Sequence, residues 1–319
     1  MTASGIELFA LNASKDIGEK ISDALEIPLS AHEEREFEDG EHKARPLATV
    51  RGRDAFVVQS LYADNKASAN DKLCRLLFFI GALKDAGAAR VTVIAPYLCY
   101  ARKDQKSKFQ DPVTTRYVAA MFEAVGADEV VTIDVHNRAA YQNAFRIRTD
   151  LLEAEPLFVD YFAKLLKGKD VVVVSPDMGG VKRAATFGQA LGKRLRREPG
   201  FAVMEKYRSE GVVSGSTLAG NVQDKAAVIL DDIIGTGTTM ARAASACQER
   251  GAKAVYLAAT HGLFLPGSEA LLKNKAIQKI VVTDTVPPFR LSGKKVAEKV
   301  EVLSTARLFA DIIGEIHGG

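Results

Sequence analysis

Seven short runs of almost uninterrupted apolar, β-favouring residues are spaced along the chain: AFVVQS (55–60), RVTVIA (90–95), VVTID (130–134), VVVVS (171–175), AAVIL (226–230), AVYLAAT (254–260) and KIVVT (279–283). A strand with one wet face alternates apolar and polar residues, whereas runs that are apolar throughout need cover on both faces. The segments between them carry helical periodicity. Strands alternating with helices predict an α/β, doubly wound architecture with mostly parallel sheets.

One junction recurs. DAGAARVTVIAPY (85–97), AVGADEVVTIDVH (124–136) and ERGAKAVYLAATH (249–261) each close a helix, turn at Gly-Ala and enter a strand. Gly87, Gly126 and Gly251 stand where a helix C′ residue needs positive φ. Recurrence in both halves suggests two related domains, although any αβ loop that favours Gly leaves the same trace. With 319 residues to distribute, the expected domains are 1–148 and 149–319, the boundary falling near 145–155 after NAFRIRTD.

A net charge of +3 is too mild to imply nucleic acid. Cys74, Cys99 and Cys247 are scattered without metal-ligand spacing, which suits a reducing cytoplasm. The chain has no apolar run long enough to span a membrane. Its opening, MTASGIELFALNAS, lacks the apolar run and basic flank of a signal peptide, so neither membrane nor export is expected.

The densest chemistry lies in AAVILDDIIGTGTTMARAA (226–244). An apolar strand ends in Asp231 and Asp232; a Gly/Thr loop follows, Gly235 to Thr239, and then an alanine-rich helix. Backbone N–H groups of such a loop and first helical turn carry partial positive charge and can cradle a phosphate monoester. Thr236, Thr238 and Thr239 add hydroxyl donors, and Gly237 lets the backbone approach closely. Two carboxylates beside a phosphate repel it unless they face something else, either neighbouring hydroxyls of a sugar or a Mg²⁺ shell. A sugar phosphate satisfies both demands. The loop matches neither G-x-x-x-x-G-K-[ST] nor G-x-G-x-x-G.

VILDDIIGTGTTM resembles the phosphoribosyl-pyrophosphate-binding motif of the type I phosphoribosyltransferase fold. That motif alone fits a phosphoribosyltransferase or the enzyme that makes phosphoribosyl pyrophosphate. Further stretches are similar to the ribose-phosphate pyrophosphokinase family: REFEDGE (35–41), RGRDAFVVQS (51–60), residues 70–106 opening NDKLCRLLFF, VVTIDVHN (130–137), VVVVSPDMGGVKRA (171–184), THGLF (260–264) and VVTDTVP (281–287). The resemblance runs from about residue 35 to the end of the chain.

The resemblance implies conversion of ATP and ribose 5-phosphate to AMP and phosphoribosyl pyrophosphate, with the C1 hydroxyl attacking the β-phosphorus of MgATP. Such transfer demands charge neutralisation and in-line positioning. Carried onto this chain, the family pattern makes His136 a catalytic, ATP-binding and metal residue. Asp177, in SPDMGG, becomes a ribose 5-phosphate and metal residue. Asp231, Asp232, Thr236, Gly237, Thr238 and Thr239 hold ribose 5-phosphate. Lys206 and Arg208 of EKYRSEG belong to a mobile catalytic loop that reaches over the triphosphate. Arg102, Lys103 and Asp104 contact the nucleotide, with Lys103 in place of the family's usual Gln. Phe37, Asp39 and Glu41 of FEDGE fall at alternate positions and would face one way in a hairpin; the family uses this loop for adenine and extends it to a neighbouring chain. The implied assembly is a homodimer or a dimer-based hexamer, with Mg²⁺ arriving with ATP.

Two departures stand out. Gly235 occupies a position where better-known synthetases carry an acid, and KSKFQD (106–111) differs from a stretch of the family's regulatory site. Two other functions share parts of this pattern. One is an inactive synthetase-associated regulatory subunit, which the catalytic-loop residues argue against. The other is a phosphoribosyltransferase, which would need a hood over a base where this chain has a second α/β half.

Overall fold

The computed structural model describes residues 5–209, 212–291 and 298–318, the side chains of 206–209 and 212–216 excepted. The chain divides into two compact units: Met1–Leu152 with Ser304–Gly319, and Glu153–Leu303. The C-terminal helix thus belongs with the first unit, although the sequence assigned it to the second half.

The first unit is built on a five-stranded sheet in the order β1 (Ile6–Ala10), β4 (Asp54–Val58), β5 (Arg90–Ala95), β6 (Glu129–Ile133), β7 (Arg148–Leu152). Every neighbouring pair is parallel. Phe9, Val57, Val93 and Val130 form one core with Leu76 and Ile80 of α2 (Ala69–Asp85) and Phe122 of α3 (Thr114–Ala124). The alternate set Leu8, Phe56, Ile94 and Val131 points to the opposite face and is equally buried. Both faces are covered, as the unbroken apolar runs require. Helices α1 (Lys15–Leu25) and α8 (Ala306–Gly318) pack on each other. An antiparallel hairpin, β2 (His32–Glu36) and β3 (His42–Pro46), stands outside the sheet. A short helix α4 (Arg138–Ala144) follows β6.

The second unit carries a seven-stranded sheet. Its order is β10 (Val212–Ala219), β9 (Gly200–Ser209), β8 (Val171–Ser175), β11 (Ala226–Ile234), β12 (Ala254–Gly262), β13 (Ile277–Thr283), β14 (Val300–Leu303). All neighbours are parallel except β10, which pairs antiparallel with β9. Helix α7 (Thr238–Glu249) covers one face through Met240, Ala243 and Cys247. On the other face Phe162 of α5 (Glu155–Leu165) meets Phe187 of α6 (Val181–Leu195) and Tyr256 at ring separations of 6.1 and 6.2 Å.

The three recurring junctions are one structural motif. Gly87, Gly126 and Gly251 have φ of 87°, 91° and 82°. Each donates its N–H to a carbonyl three residues back, and the following alanine donates to one five residues back, closing a Schellman turn on α2, α3 and α7.

Candidate functional site

Strand order decides where the second unit can hold a ligand. From β8 the chain passes through α6 to β9 on one side; from β11 it passes through α7 to β12 on the other. The loops leaving β8 and β11 therefore diverge, and ligands of open α/β sheets bind in the crevice outside such a switch point. β11 also outruns its neighbour. Its pairing with β8 stops at Ile229, while its pairing with β12 continues to Ile234. Asp231 and Asp232 lie on this projecting end.

The two acids share one guanidinium. Arg183, one turn into α6, places Nη1 3.0 Å from Asp232 Oδ1 and 3.4 Å from Asp231 Oδ1. Asp232 is buried, and its N–H donates to Asp231 Oδ1 at 2.9 Å. Burial, then the neighbouring Asp232 carboxyl, push Asp231 up to about 8 against the pull of Arg183. Burial and the Asp232 carboxyl thus favour the protonated form of Asp231. Such a pair can both donate to and accept from adjacent hydroxyls.

The Gly/Thr loop follows. Gly237 is the N-cap of α7 with φ of 75° and no side-chain capping bond. The hydroxyls of Thr236 and Thr238, both exposed, lie 3.1 Å apart. Helical N–H groups at such an end are open to an anion. At the other strand end Asp177 accepts from the N–H groups of Gly179 and Gly180 at 3.1 and 3.2 Å, while Ser175 Oγ donates to the Asp177 carbonyl at 2.6 Å. This fastening makes SPDMGG a formed turn. The THGLF and VVTDTVP stretches meet in a buried knot: His261 Nδ1 lies 2.9 Å from Thr285 Oγ1, and Thr283 and Thr285 both donate to the Thr260 carbonyl.

In the first unit His136 is exposed just past β6, two residues after Asp134, whose φ is 45°. Arg102 and Lys103 are exposed two and three residues after Tyr100, whose φ is 62°. Positive φ in a non-glycine residue costs on the order of 1–3 kcal/mol and persists only where surroundings impose it. Here the surroundings are visible. Thr115 Oγ1 donates to the Tyr100 carbonyl at 2.8 Å, and Lys103 N–H donates to the same carbonyl at 2.9 Å. Asn137 caps α4 by accepting from Ala140 N–H and donates to Asp104 Oδ2 at 2.8 Å. The Arg102–Asp104 turn and the His136 segment are thereby tied together.

Two sequence expectations change. Phe37, Asp39 and Glu41 do not lie on a strand, so the alternate-position argument does not apply. Residues 37–41 form the reversing turn between β2 and β3: Phe37 N–H donates to the Glu41 carbonyl at 2.9 Å, and Asp39 Oδ1 accepts from Glu41 N–H at 3.0 Å. Gly40 supplies the positive φ of the turn, 87°. Asp39 and Glu41 are exposed, and Phe37 is 38% exposed with Arg35 4.9 Å from its ring centroid. Lys206 and Arg208, expected on a loop, lie on β9 opposite Ser216 and Val213 of β10; their side chains are outside the described residues. Arg183, Asn137 and Tyr100 were not singled out from the sequence. Asn137 carried a signal, an N-cap residue type before a helical run. Arg183 carried none, because beside Lys182 it reads as an ordinary solvated helix face.

Among the described residues no three His, Cys, Asp or Glu side chains group to hold a metal, and no helix is long and apolar enough to cross a membrane.

Known proteins resemble this chain along its length. Residues 6–126 match the N-terminal domain of ribose phosphate pyrophosphokinase, and residues 210–319 match the phosphoribosyl synthetase-associated domain. Ribose-phosphate pyrophosphokinase 1 of Streptococcus agalactiae serotype III is 37% identical, covering 99% of this chain and 95% of its own length. A putative ribose-phosphate pyrophosphokinase 2 of S. agalactiae serotype V is 38% identical over 98% of this chain and 92% of its own. The crystal structure of phosphoribosylpyrophosphate synthetase from Mycobacterium smegmatis superposes with a TM-score of 0.89 at 33% identity, covering 99% of both chains. With likeness of this extent running through both units, the chain belongs to the ribose-phosphate pyrophosphokinase family.

Proposed function

We propose that this protein transfers the pyrophosphoryl group of ATP to the C1 hydroxyl of ribose 5-phosphate, releasing AMP. The observation that carries the reading is the switch point of the second sheet, where an acid pair, an uncapped Gly/Thr helix start and the Asp177 turn occupy adjacent strand ends. The acids suit the ribose hydroxyls. Thr236, Gly237, Thr238, Thr239 and the first N–H groups of α7 suit the 5-phosphate.

The nucleotide side of the reaction is assigned to the first unit. His136, Arg102, Lys103 and Asp104 sit on turns already tied by Asn137, and the exposed Phe37–Glu41 turn offers an aromatic face and acceptors for a base. Lys206 and Arg208 are assigned to the developing charge on the transferred group. The C1 oxygen forms a bond to Pβ as the bond from Pβ to the α–β bridging oxygen breaks; that oxygen leaves on the α-phosphate of AMP, and the C1 hydroxyl proton is released to solvent.

Mg²⁺ fits the donors present. It keeps several waters and takes one or two carboxylates beside substrate phosphates. Asp177 Oδ1 accepts from two N–H groups, which fixes the carboxylate in the turn, and a fixed carboxylate is the hard oxygen donor that Mg²⁺ prefers. His136 and Asp177 are the proposed donors, and the bound ion would neutralise phosphate charge. The proposed assembly is a homodimer or a dimer-based hexamer. AMP release from ATP, followed with and without ribose 5-phosphate and with and without Mg²⁺, tests the function: release is expected only with both. AMP release that ignores ribose 5-phosphate would refute it.

A further inference from the structure

The hairpin β2–β3 stands apart from the five-stranded sheet, and a lone hairpin is marginal in water. Its placement must rest on what its inner face grips. That face is polar. His32 and Glu34 on β2 and His42 on β3 are partly buried, while Arg35, Lys43 and Arg45 are exposed. A buried carboxylate is costly unless its lone pairs are matched.

Glu34 is matched from three segments. Oε1 accepts from Asn12 N–H at 2.5 Å and lies 3.1 Å from His32 Nε2; Oε2 lies 3.3 Å from His42 Nε2. Asn12 stands just past the end of β1, so one carboxylate joins the sheet to both hairpin strands. The His32 ring meets Phe9 of β1 and Phe79 of α2 edge-on, at centroid separations of 6.4 and 5.7 Å. Nearer the turn, Arg75 of α2 pairs with Glu36 at 3.1 Å. Burial pulls Glu34 upward, but the side-chain contact with His32 and the Asn12 N–H outweigh it and hold the carboxyl below its ordinary range, while burial, then Arg75, hold His42 below the ordinary imidazole range. The grip therefore favours a charged Glu34.

We propose that Glu34, braced by His32 and His42, is a positioning residue for the nucleotide: it sets the direction in which the Phe37–Glu41 turn leaves the body of the first unit. The inference rests on the reading of that turn as the adenine loop. Three residues of strand separate Glu34 from Phe37, about 10 Å at the usual rise. Over that lever a tilt of about 6° displaces the turn by about 1 Å, enough to spoil a contact that needs placement within about 0.5 Å.

The test is steady-state kinetics of the full-length enzyme carrying Glu34→Ala or Glu34→Gln, beside a loop variant with Asp39→Ala and Glu41→Ala. Glu34→Ala is expected to raise KM for ATP about tenfold, with kcat and KM for ribose 5-phosphate within about twofold. Glu34→Gln keeps an acceptor for Asn12 N–H and should fall between Glu34→Ala and the unaltered enzyme. It also decides the matter if Glu34→Ala does not fold. A residue that only supported the fold would lower the amount of active enzyme and the melting temperature while leaving both KM values alone. An unchanged KM for ATP, or equal rises in both KM values, overturns the inference if the loop variant is itself impaired for ATP. A loop variant with unaltered KM for ATP overturns the adenine-loop reading, and the inference with it.

Discussion

Arg183 Nη1 lies 3.0 Å from Asp232 Oδ1 and 3.4 Å from Asp231 Oδ1, so a single guanidinium balances two adjacent carboxyls at the end of β11. Burial, then the neighbouring Asp232 carboxyl, push Asp231 up to about 8 against the pull of Arg183. A carboxyl raised in the folded state binds its proton more tightly there than in the unfolded chain. Its contribution to stability is complete below the ordinary carboxyl range and is lost as pH rises through about 8. Asp231→Asn removes the titration. The variant should be more stable than the unaltered protein near pH 9, by about 1–3 kcal/mol, with the advantage shrinking toward pH 4. Thermal unfolding of the ligand-free protein across that range checks it; a difference that does not vary with pH would contradict it.

Two neighbouring glycines should respond very differently to the same substitution. A Cβ on Gly237 would lie 2.8 Å from Leu271 Cδ2, and the residue has φ of 75°. Gly237→Ala should cost about 1–3 kcal/mol from strain and overpacking. The nearest atom to a Cβ on Gly235 is Leu265 Cδ1 at 3.8 Å. Gly235→Ala should therefore stay within about 0.5 kcal/mol of the unaltered protein. Denaturant melts of both variants decide.

Which strands could be read from the sequence follows from where they lie. The seven apolar runs became β4, β5, β6, β8, β11, β12 and β13, every one flanked by strands on both sides. Such strands are buried on two faces and leave an unbroken apolar trace. The sheet edges did not. RTDLL of β7 and VEVL of β14 carry charges that break the pattern, as edge strands do. The acid pair and Gly/Thr loop were legible because their order along the chain is itself the chemistry. Arg183 and Glu34 were not, since each gains its meaning from a partner distant in sequence: Asp232 for one, Asn12 for the other.

Lys206 supplies a third prediction. If it serves as one preorganised donor to the transferred group, Lys206→Ala should lower kcat by about 10²–10³. KM for ATP should move far less, because the contact strengthens in the transition state. Rapid-quench turnover at saturating substrates measures this, and a variant with normal kcat would remove Lys206 from the catalytic set.

The proposed sharing of each site between subunits can be tested by mixing two disabled variants. One carries Phe37→Ala with Glu41→Ala, the other Lys206→Ala, and each alone should be nearly inactive. Random reassembly of dimers should restore up to about a quarter of normal activity, from sites that pair an intact turn with an intact catalytic strand. A mixture that exchanges subunits yet stays inactive would mean that each chain builds its own complete site.

The most direct test of the central claim follows phosphorus itself. ³¹P NMR of the enzyme with ATP, ribose 5-phosphate and Mg²⁺ should show AMP and phosphoribosyl pyrophosphate growing in equal amounts. Both the β- and γ-phosphorus of ATP should arrive intact in the sugar product, and neither ADP nor inorganic phosphate should form as the primary product. Appearance of ADP with a singly phosphorylated C1, or loss of ATP without a new diphosphate on the sugar, would contradict pyrophosphoryl transfer.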